Sequence, residues 1–287
     1  ARLYARADKA MIIYGLGITE HTTGTSNVMS LGNLAMLTGN VGRRSTGIMP
    51  LRGQNNVQGA CDMGALPNVH VGYQPVTDAA IRSKFEEAWK VDLPSVPGQT
   101  STQMIERNPG KEIRGLYILG EDPAHTEPDT NRVRSTLESL DFLVVQEIFP
   151  TETTRFADVI LPAASFAECD GTFTNGERRI QRVRKAIPAL CGQENWLTIC
   201  QIAQRMGYPM SYGHPSDIMD EIASLAPMFA GVKFDRLDDG GLQWPIPSLD
   251  QPGTETLHAE SFSCGRGRFN AVQHKYPAEQ TDAEYPL

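Results

Sequence analysis

The sequence has little of what several common functions require. No two cysteines stand as a CxxC pair: Cys61, Cys169, Cys191, Cys200 and Cys264 are odd in number and scattered through 287 residues. That spacing spells neither a zinc ribbon nor an iron–sulfur ligand set, and it suits free thiols in a reducing compartment better than a disulfide framework. No apolar run approaches the roughly 20 residues needed to span a bilayer. The first ten residues (ARLYARADKA) are too charged for a secretory signal. The six histidines show no i,i+4 or HExxH spacing, so no metal site built from this chain is expected. A nucleophile elbow, a Ser/His/Asp spacing, internal repeats and low-complexity tracts are absent as well. With 34 acidic and 26 basic side chains the formal net charge is −8, which argues against nucleic acid or an anionic membrane as a partner.

What is present suits a globular α/β protein. Apolar residues at 40% suffice for a core, and 21% charge is too little for a disordered polyelectrolyte. The length allows one large domain or two of about 100–200 residues. Met11–Tyr14 is a short apolar strand that stops at Gly15-Leu16-Gly17, and residues 25–38 follow with helical spacing, capped by Thr25 or Ser26. Between Gly39 and Gly72 periodicity fails, and seven glycines punctuate a polar stretch with apolar anchors. A loop of this kind is usually functional and can wrap a ligand with its backbone. Helical patterns return at 77–90. Strands at 116–119, 142–145 and 158–161 then alternate with a helix at 130–140, the pattern of a parallel, doubly covered sheet. Residues 177–187 alternate basic and apolar and read as an edge strand. Helices follow at 195–206 and 215–225, and the stretch from 238 onward holds none.

In open parallel sheets, ligands sit beyond the carboxyl ends of the strands. Those ends carry Gly120-Glu121-Asp122-Pro123 and Gln146-Glu147. Carboxylates there can accept from ribose hydroxyls or from guanine N1 and N2. Turn chemistry is the plainer reading of each residue alone, and Asp158, at the start of its strand, suits a structural cap. The Gly15-x-Gly17 turn lacks the third glycine of a dinucleotide fingerprint. Arg52 lies in Leu51-Arg52-Gly53-Gln54-Asn55-Asn56, away from any basic run. A guanidinium so placed suits a small carboxylate held by two parallel hydrogen bonds, or a structural pair with a loop carboxylate such as Asp62.

Five segments carry a resemblance that covers nearly the whole chain: LAMLTGNVGRRSTGIMPLRGQNNVQGACDMGALPNVHVGYQPV (34–76), RGLYILGEDPAHT (114–126), LVVQEIFPTETTRFADVILP (143–162), RMGYPMSYGHPSDIMDEI (205–222) and GTETLHAESFSCGRGRF (253–269). Together they resemble the molybdopterin oxidoreductase family, and within it the catalytic (alpha) subunits of formate dehydrogenases of the cytoplasmic type.

The resemblance implies an α/β fold of doubly wound, mostly parallel sheets. It implies a bis-molybdopterin guanine dinucleotide carrying molybdenum or tungsten, and oxidation of formate to carbon dioxide. Electrons would leave through a 4Fe–4S cluster to iron–sulfur or flavin subunits. By resemblance Arg52 orients formate, and Gln54 lies beside the substrate or the pterin. Leu16, Gly17, Glu20, Gly53, Gly120, Glu121, Asp122, Thr126, Gln146, Glu147 and Asp158 would line one guanine dinucleotide.

Departures matter as much as matches. The family's cysteine cluster, its metal-ligating cysteine or selenocysteine with the adjacent histidine, and its C-terminal barrel-like domain have no counterpart here. Ala1 stands where an initiating Met would. A part of a longer subunit, inactive alone, is therefore expected, with residues 1–54 ending one α/β domain. Residues 55–217 would form a guanine-dinucleotide-binding domain interrupted around 167–195, and 218–287 a loop-rich segment packing toward the cluster. Other readings are a different molybdopterin oxidoreductase such as a nitrate reductase, whose corresponding loop lacks the arginine, or a non-catalytic pterin-nucleotide-binding module.

Overall fold

The computed structural model describes residues 1–106, 112–277 and 279–286. After a short helix α1 (Arg2–Arg6), the apolar run MIIY forms strand β1 (Met11–Tyr14), and Gly15 turns it into the single-turn helix α2 (Leu16–Thr19). Helix α3 (Gly24–Leu37) follows. Its N-cap position is Thr23, ahead of the expected caps Thr25 and Ser26, and no side chain caps it. The chain then returns as β2 (Gly47–Pro50), parallel to β1, with Met11 opposite Gly47 and Tyr14 opposite Pro50. Parallel neighbours need a crossover, and α3 supplies it. β2 lies inside the stretch without periodicity: four residues, half of them Gly and Pro, carry no alternation to read.

The rest of that stretch is also ordered, as α4 (Val57–Asp62) and the short antiparallel pair β3 (Val69–His70) and β4 (Gln74–Pro75). Helix α5 (Ala79–Trp89) starts where Asp78 accepts from the Ala80 and Ile81 N–H groups, satisfying two of the unpaired donors of the first turn. α6 (Ser101–Glu106) leads to the second parallel sheet.

That sheet has the order β5 (Gly115–Leu119), β6 (Phe142–Glu147), β7 (Val159–Pro162), all parallel as expected. α7 (Pro123–Thr126) and α8 (Thr130–Ser139) connect β5 to β6, and Asp129 caps α8 at the Arg132 N–H. Val133 and Leu137 of α8 bury one face of the sheet against Leu143 and Val145. The opposite face leaves Tyr117 and Leu119 41% and 40% exposed.

The remaining strands are antiparallel: β8 (Gly171–Thr174), β9 (Arg179–Val183) and β10 (Leu242–Gln243). β9 is the central strand, which corrects the edge-strand expectation. Its second neighbour, β10, is only two residues long and lies far along the chain, beyond any local pattern. Helices α9 (Asn195–Arg205) and α10 (Pro215–Leu225) stand where periodicity placed them. The larger core packs Phe85 of α5 and Val71 against Ile180, Met219, Phe229, Val232, Leu237 and Ile246. Each such side chain fully removed from water contributes about 1.5–3 kcal/mol. Among the described residues no helix is long and apolar enough to cross a membrane.

Candidate active site

The carboxyl ends of β1 and β2 lie side by side, tied by the Leu51 N–H donating to the Tyr14 carbonyl at 2.7 Å. Two loops therefore leave the sheet together. One carries Leu16, Gly17 and Glu20; the other carries Arg52, Gly53 and Gln54. Leu16 is 54% exposed. The first loop is held by its own polar groups, since Glu20 N–H donates to the Leu16 carbonyl at 2.9 Å and His21 Nε2 donates to that of Gly17 at 2.8 Å. At Gly17 and Gly53 an added Cβ meets no atom within 4 Å, so the backbone there faces open space.

The second loop ends at Asn56, whose backbone is left-handed (φ 60°) and whose Oδ1 accepts from the Thr174 N–H of β8 at 2.9 Å. A Cβ at Gly59 would come within 2.1 Å of that same oxygen, so a larger residue there would have to push the Asn56 side chain aside. α4 then stacks Gln58 and Asp62 one turn apart. Asp62 is fully buried. Its Oδ1 accepts from Gln58 Nε2 and from the Tyr73 hydroxyl, both at 2.7 Å, and its Oδ2 accepts from Trp244 Nε1 at 2.7 Å. Gln58 Nε2 also reaches the Tyr73 hydroxyl oxygen at 3.0 Å, and Gln58 Oε1 accepts from Arg52 Nε at 3.3 Å. Burial raises the Asp62 carboxyl above the usual range, against the pull of its three donors and the Arg52 charge. Burial and the adjacent carboxylate push the Tyr73 phenol well upward, so it stays a donor. Arg178 stacks on the Trp244 ring with its guanidinium carbon 5.4 Å from the centroid, and donates to the carbonyls of Trp244, Thr254 and Glu255.

Arg52 is thus not in a direct ion pair with Asp62, which corrects the structural alternative; Gln58 stands between them. Its Nη1 and Nη2 atoms have no protein partner among the described residues. Gln58, Tyr73 and Trp244 are absent from the sequence-based candidates. The i,i+4 spacing of Gln58 and Asp62 is a readable signal, whereas Tyr73 and Trp244 arrive through tertiary packing.

A second cluster forms at the carboxyl ends of β5 and β6. Gly120 takes φ 68° and donates its N–H to the Gln146 carbonyl at 3.0 Å, with open space where a Cβ would stand. Glu121 is exposed and accepts from the Thr126 hydroxyl at 2.9 Å. Asp122 turns inward: its Oδ1 accepts from Thr153 N–H at 2.8 Å and from Thr153 Oγ1 at 2.6 Å. Burial alone would raise its carboxyl, but these bonds hold it below the usual range. Gln146 is fully buried; Tyr117 donates to its Oε1, and its Nε2 reaches the Pro162 carbonyl at 3.3 Å and Asn195 Oδ1 at 3.2 Å. Glu147 accepts from the Ile148 N–H at 2.7 Å and stays half-exposed. Asp158 stands apart from both clusters, at the amino end of its sheet, where Oδ2 accepts from the Leu143 N–H at 2.7 Å.

No hydrogen bond among the described residues joins the two clusters, and none of their His, Cys, Asp and Glu side chains gather in threes able to hold a metal. Parallel strands ending in polar loops define an open-sheet α/β protein, a class in which the crevice beyond the carboxyl ends of the strands is the usual place for a ligand. Residues 3–205 match the molybdopterin oxidoreductase family, and the chain belongs to it. Aligned over its whole length, it is 50% identical to the F420-dependent formate dehydrogenase 2 subunit alpha of Methanococcus maripaludis, covering 43% of that protein. It is 48% identical to the F420-dependent formate dehydrogenase subunit alpha of Methanocaldococcus jannaschii, again covering 43%. Against formate dehydrogenase H of Escherichia coli the identity is 43%, and 41% of that protein is covered. The chain therefore spans less than half the length of these relatives. Acetylene hydratase from Pelobacter acetylenicus superposes on 64% of the chain at a TM-score of 0.39 and 14% identity, a loose likeness.

Proposed function

We propose that this chain forms part of the catalytic subunit of a formate dehydrogenase, in which Arg52 clamps formate and the strand-end residues hold one pterin guanine dinucleotide. The observation that carries the reading is the state of Arg52. Its Nε is held by Gln58, and its two terminal nitrogens face no protein acceptor among the described residues. That fork matches a carboxylate through two parallel charge-assisted hydrogen bonds. Gln54, two residues on and exposed, offers one more donor and acceptor beside it.

The residues fit the nucleotide as well. Gly17, Gly53 and Gly120 leave open space beside the backbone, and the exposed carboxylate of Glu121 suits the N1 and N2 donors of guanine. Glu147 adds a second acceptor. Leu16 offers an exposed apolar surface for a ring, and Glu20 and Thr126 add polar groups at the same strand ends. Asp122 and Gln146 contribute by shape, since their side chains are bonded within the protein. Asp158 would act only by holding β6 and β7 together. The strand-end residues would hold the nucleotide end of a bis-pterin guanine dinucleotide, whose molybdenum or tungsten would supply the two-electron chemistry that takes formate to carbon dioxide and a proton, with a 4Fe–4S cluster of the full subunit as the route to iron–sulfur or flavin subunits. Arg52 neutralises and orients the formate carboxylate, leaving the C–H bond directed away from the guanidinium. A cytoplasmic setting accords with free cysteines and the acidic balance.

The test is Arg52→Ala in the holoenzyme that carries this chain. The formate KM should rise about a hundredfold, the loss of one bidentate charged pair. Metal and pterin content should stay as in the parent. An unchanged formate KM rejects the clamp.

A further inference from the structure

We propose that Asp62 and Gln58 are positioning residues for the substrate arginine: Asp62 fixes which end of the Gln58 amide faces Arg52, and so which face of the guanidinium is left for a carboxylate. The inference rests on the reading of Arg52 as the formate clamp. It goes beyond that reading by naming what sets the clamp.

A glutamine amide has a donor end and an acceptor end, and unconstrained it can present either. Here it cannot. Asp62 is an acceptor when ionised, it stands 2.7 Å from Nε2, and it is fully buried. A flipped amide would set Oε1 against that carboxylate and the NH2 group against the Arg52 N–H. Two hydrogen bonds would become two repulsions. Oε1 is thereby aimed at Arg52 Nε, at 3.3 Å.

The carboxylate itself has no freedom. Tyr73 holds Oδ1 and Trp244 holds Oδ2, from points 11 and 182 residues away in the chain. The order of constraint runs from the tertiary core through Asp62 and Gln58 to the exposed guanidinium. With Nε committed, Arg52 offers its end-on Nη1/Nη2 pair. Preorganisation of this kind removes rotamer entropy that binding would otherwise have to overcome.

Three variants in the holoenzyme test this. Gln58→Met keeps the length of the side chain and removes Oε1. Asp62→Asn frees the amide to flip. Each should raise the formate KM about tenfold while kcat changes less than about twofold, as expected for loss of a preset binding geometry. Pterin and metal content and the KM for the electron acceptor should not move. The double variant Asp62→Asn with Gln58→Glu reverses the polarity of the pair: the amide introduced at position 62 donates, and the carboxylate introduced at position 58 still accepts from Arg52. It should return the formate KM to within about threefold of the parent, because the acceptor facing Arg52 is restored.

Arg52→Ala separates the two levels of the argument. If it raises the formate KM while Gln58→Met leaves it unchanged, positioning is overturned and the clamp stands. If neither variant moves it, both fall. A Gln58→Met protein that loses kcat and pterin together shows a structural part only and overturns the proposal. Should Asp62→Asn not accumulate as folded protein, Gln58→Met decides alone.

Discussion

Asp62 and Asp122 are both carboxylates at the approach to a strand-end cluster, and they are held in opposite ways. Asp62 is sealed from water and answered by three neutral donors, with no cation in direct contact. Asp122 lies near the surface and accepts twice from one residue, Thr153. Burial dominates at the first and raises its carboxyl; hydrogen bonding prevails at the second and lowers it. The difference separates two ways of building a site. Around Arg52 a single arrangement is imposed from the core outward. At the ends of β5 and β6 the loop is merely pinned, and Glu121 and Glu147 stay at or near the surface, each bonded only within its own turn.

The largest effect expected from this contrast is on stability. Asp62→Ala strands the Trp244, Tyr73 and Gln58 donors in a closed interior and should cost about 3 kcal/mol or more. Asp122→Ala loses two bonds at a site water can reach and should cost about 1–2 kcal/mol. Denaturant midpoints of the two variants, in the protein carrying this chain, check the order. Equal losses would show that the buried network has no special standing.

Next in size is the pH response, where the two should differ in sign. Asp122 has a folded pKa below its unfolded one, so its contribution is present above the unfolded value and disappears as pH falls through the folded one. The deficit of Asp122→Asn should therefore shrink in acid. Asp62 has a folded pKa above its unfolded one, so its contribution rises as pH falls and levels off below the unfolded value. The deficit of Asp62→Asn should grow in acid. Parallel pH curves for the two variants would break the comparison.

The two regions are also unequally legible in the sequence. Continuous apolar runs such as LVV at 143–145, with helix spacing at 130–140, give away the β5–β6–β7 sheet because parallel pairing is encoded locally by strand, helix, strand. β2 escapes, since GIMP lies in a glycine-rich stretch and becomes a strand only by pairing with β1. The same holds for β9: its alternation is visible, its central place is not, because Leu242 and Gln243 alone form its other neighbour. At the site, Arg52 stands out as a lone guanidinium, with Asp62 as a candidate partner. The glutamine between them is readable only once α4 is known to be a helix. Trp244 cannot be read from sequence by any spacing rule.

The smallest expected effect on stability sharpens the other half of the contrast. Glu121 is exposed, and its one side-chain partner, Thr126 Oγ1, can donate equally well to a glutamine oxygen. Glu121→Gln should therefore change stability by less than about 0.5 kcal/mol, as for most surface substitutions. What it removes is charge at the acceptor, and a charged acceptor forms hydrogen bonds roughly twice as strong as a neutral one. If this carboxylate meets the guanine of the cofactor, the guanine nucleotide released from purified protein by acid should fall about threefold or more per chain, in line with that loss. Asp158→Asn is the matched control: its carboxylate binds the Leu143 N–H at the far end of the sheet, so stability should drop and the nucleotide content of the folded fraction should hold. Unchanged nucleotide in Glu121→Gln, or an equal fall in Asp158→Asn, would leave the β5–β6 end as turn chemistry alone. The ligand-facing role would then rest wholly on the buried network behind Arg52.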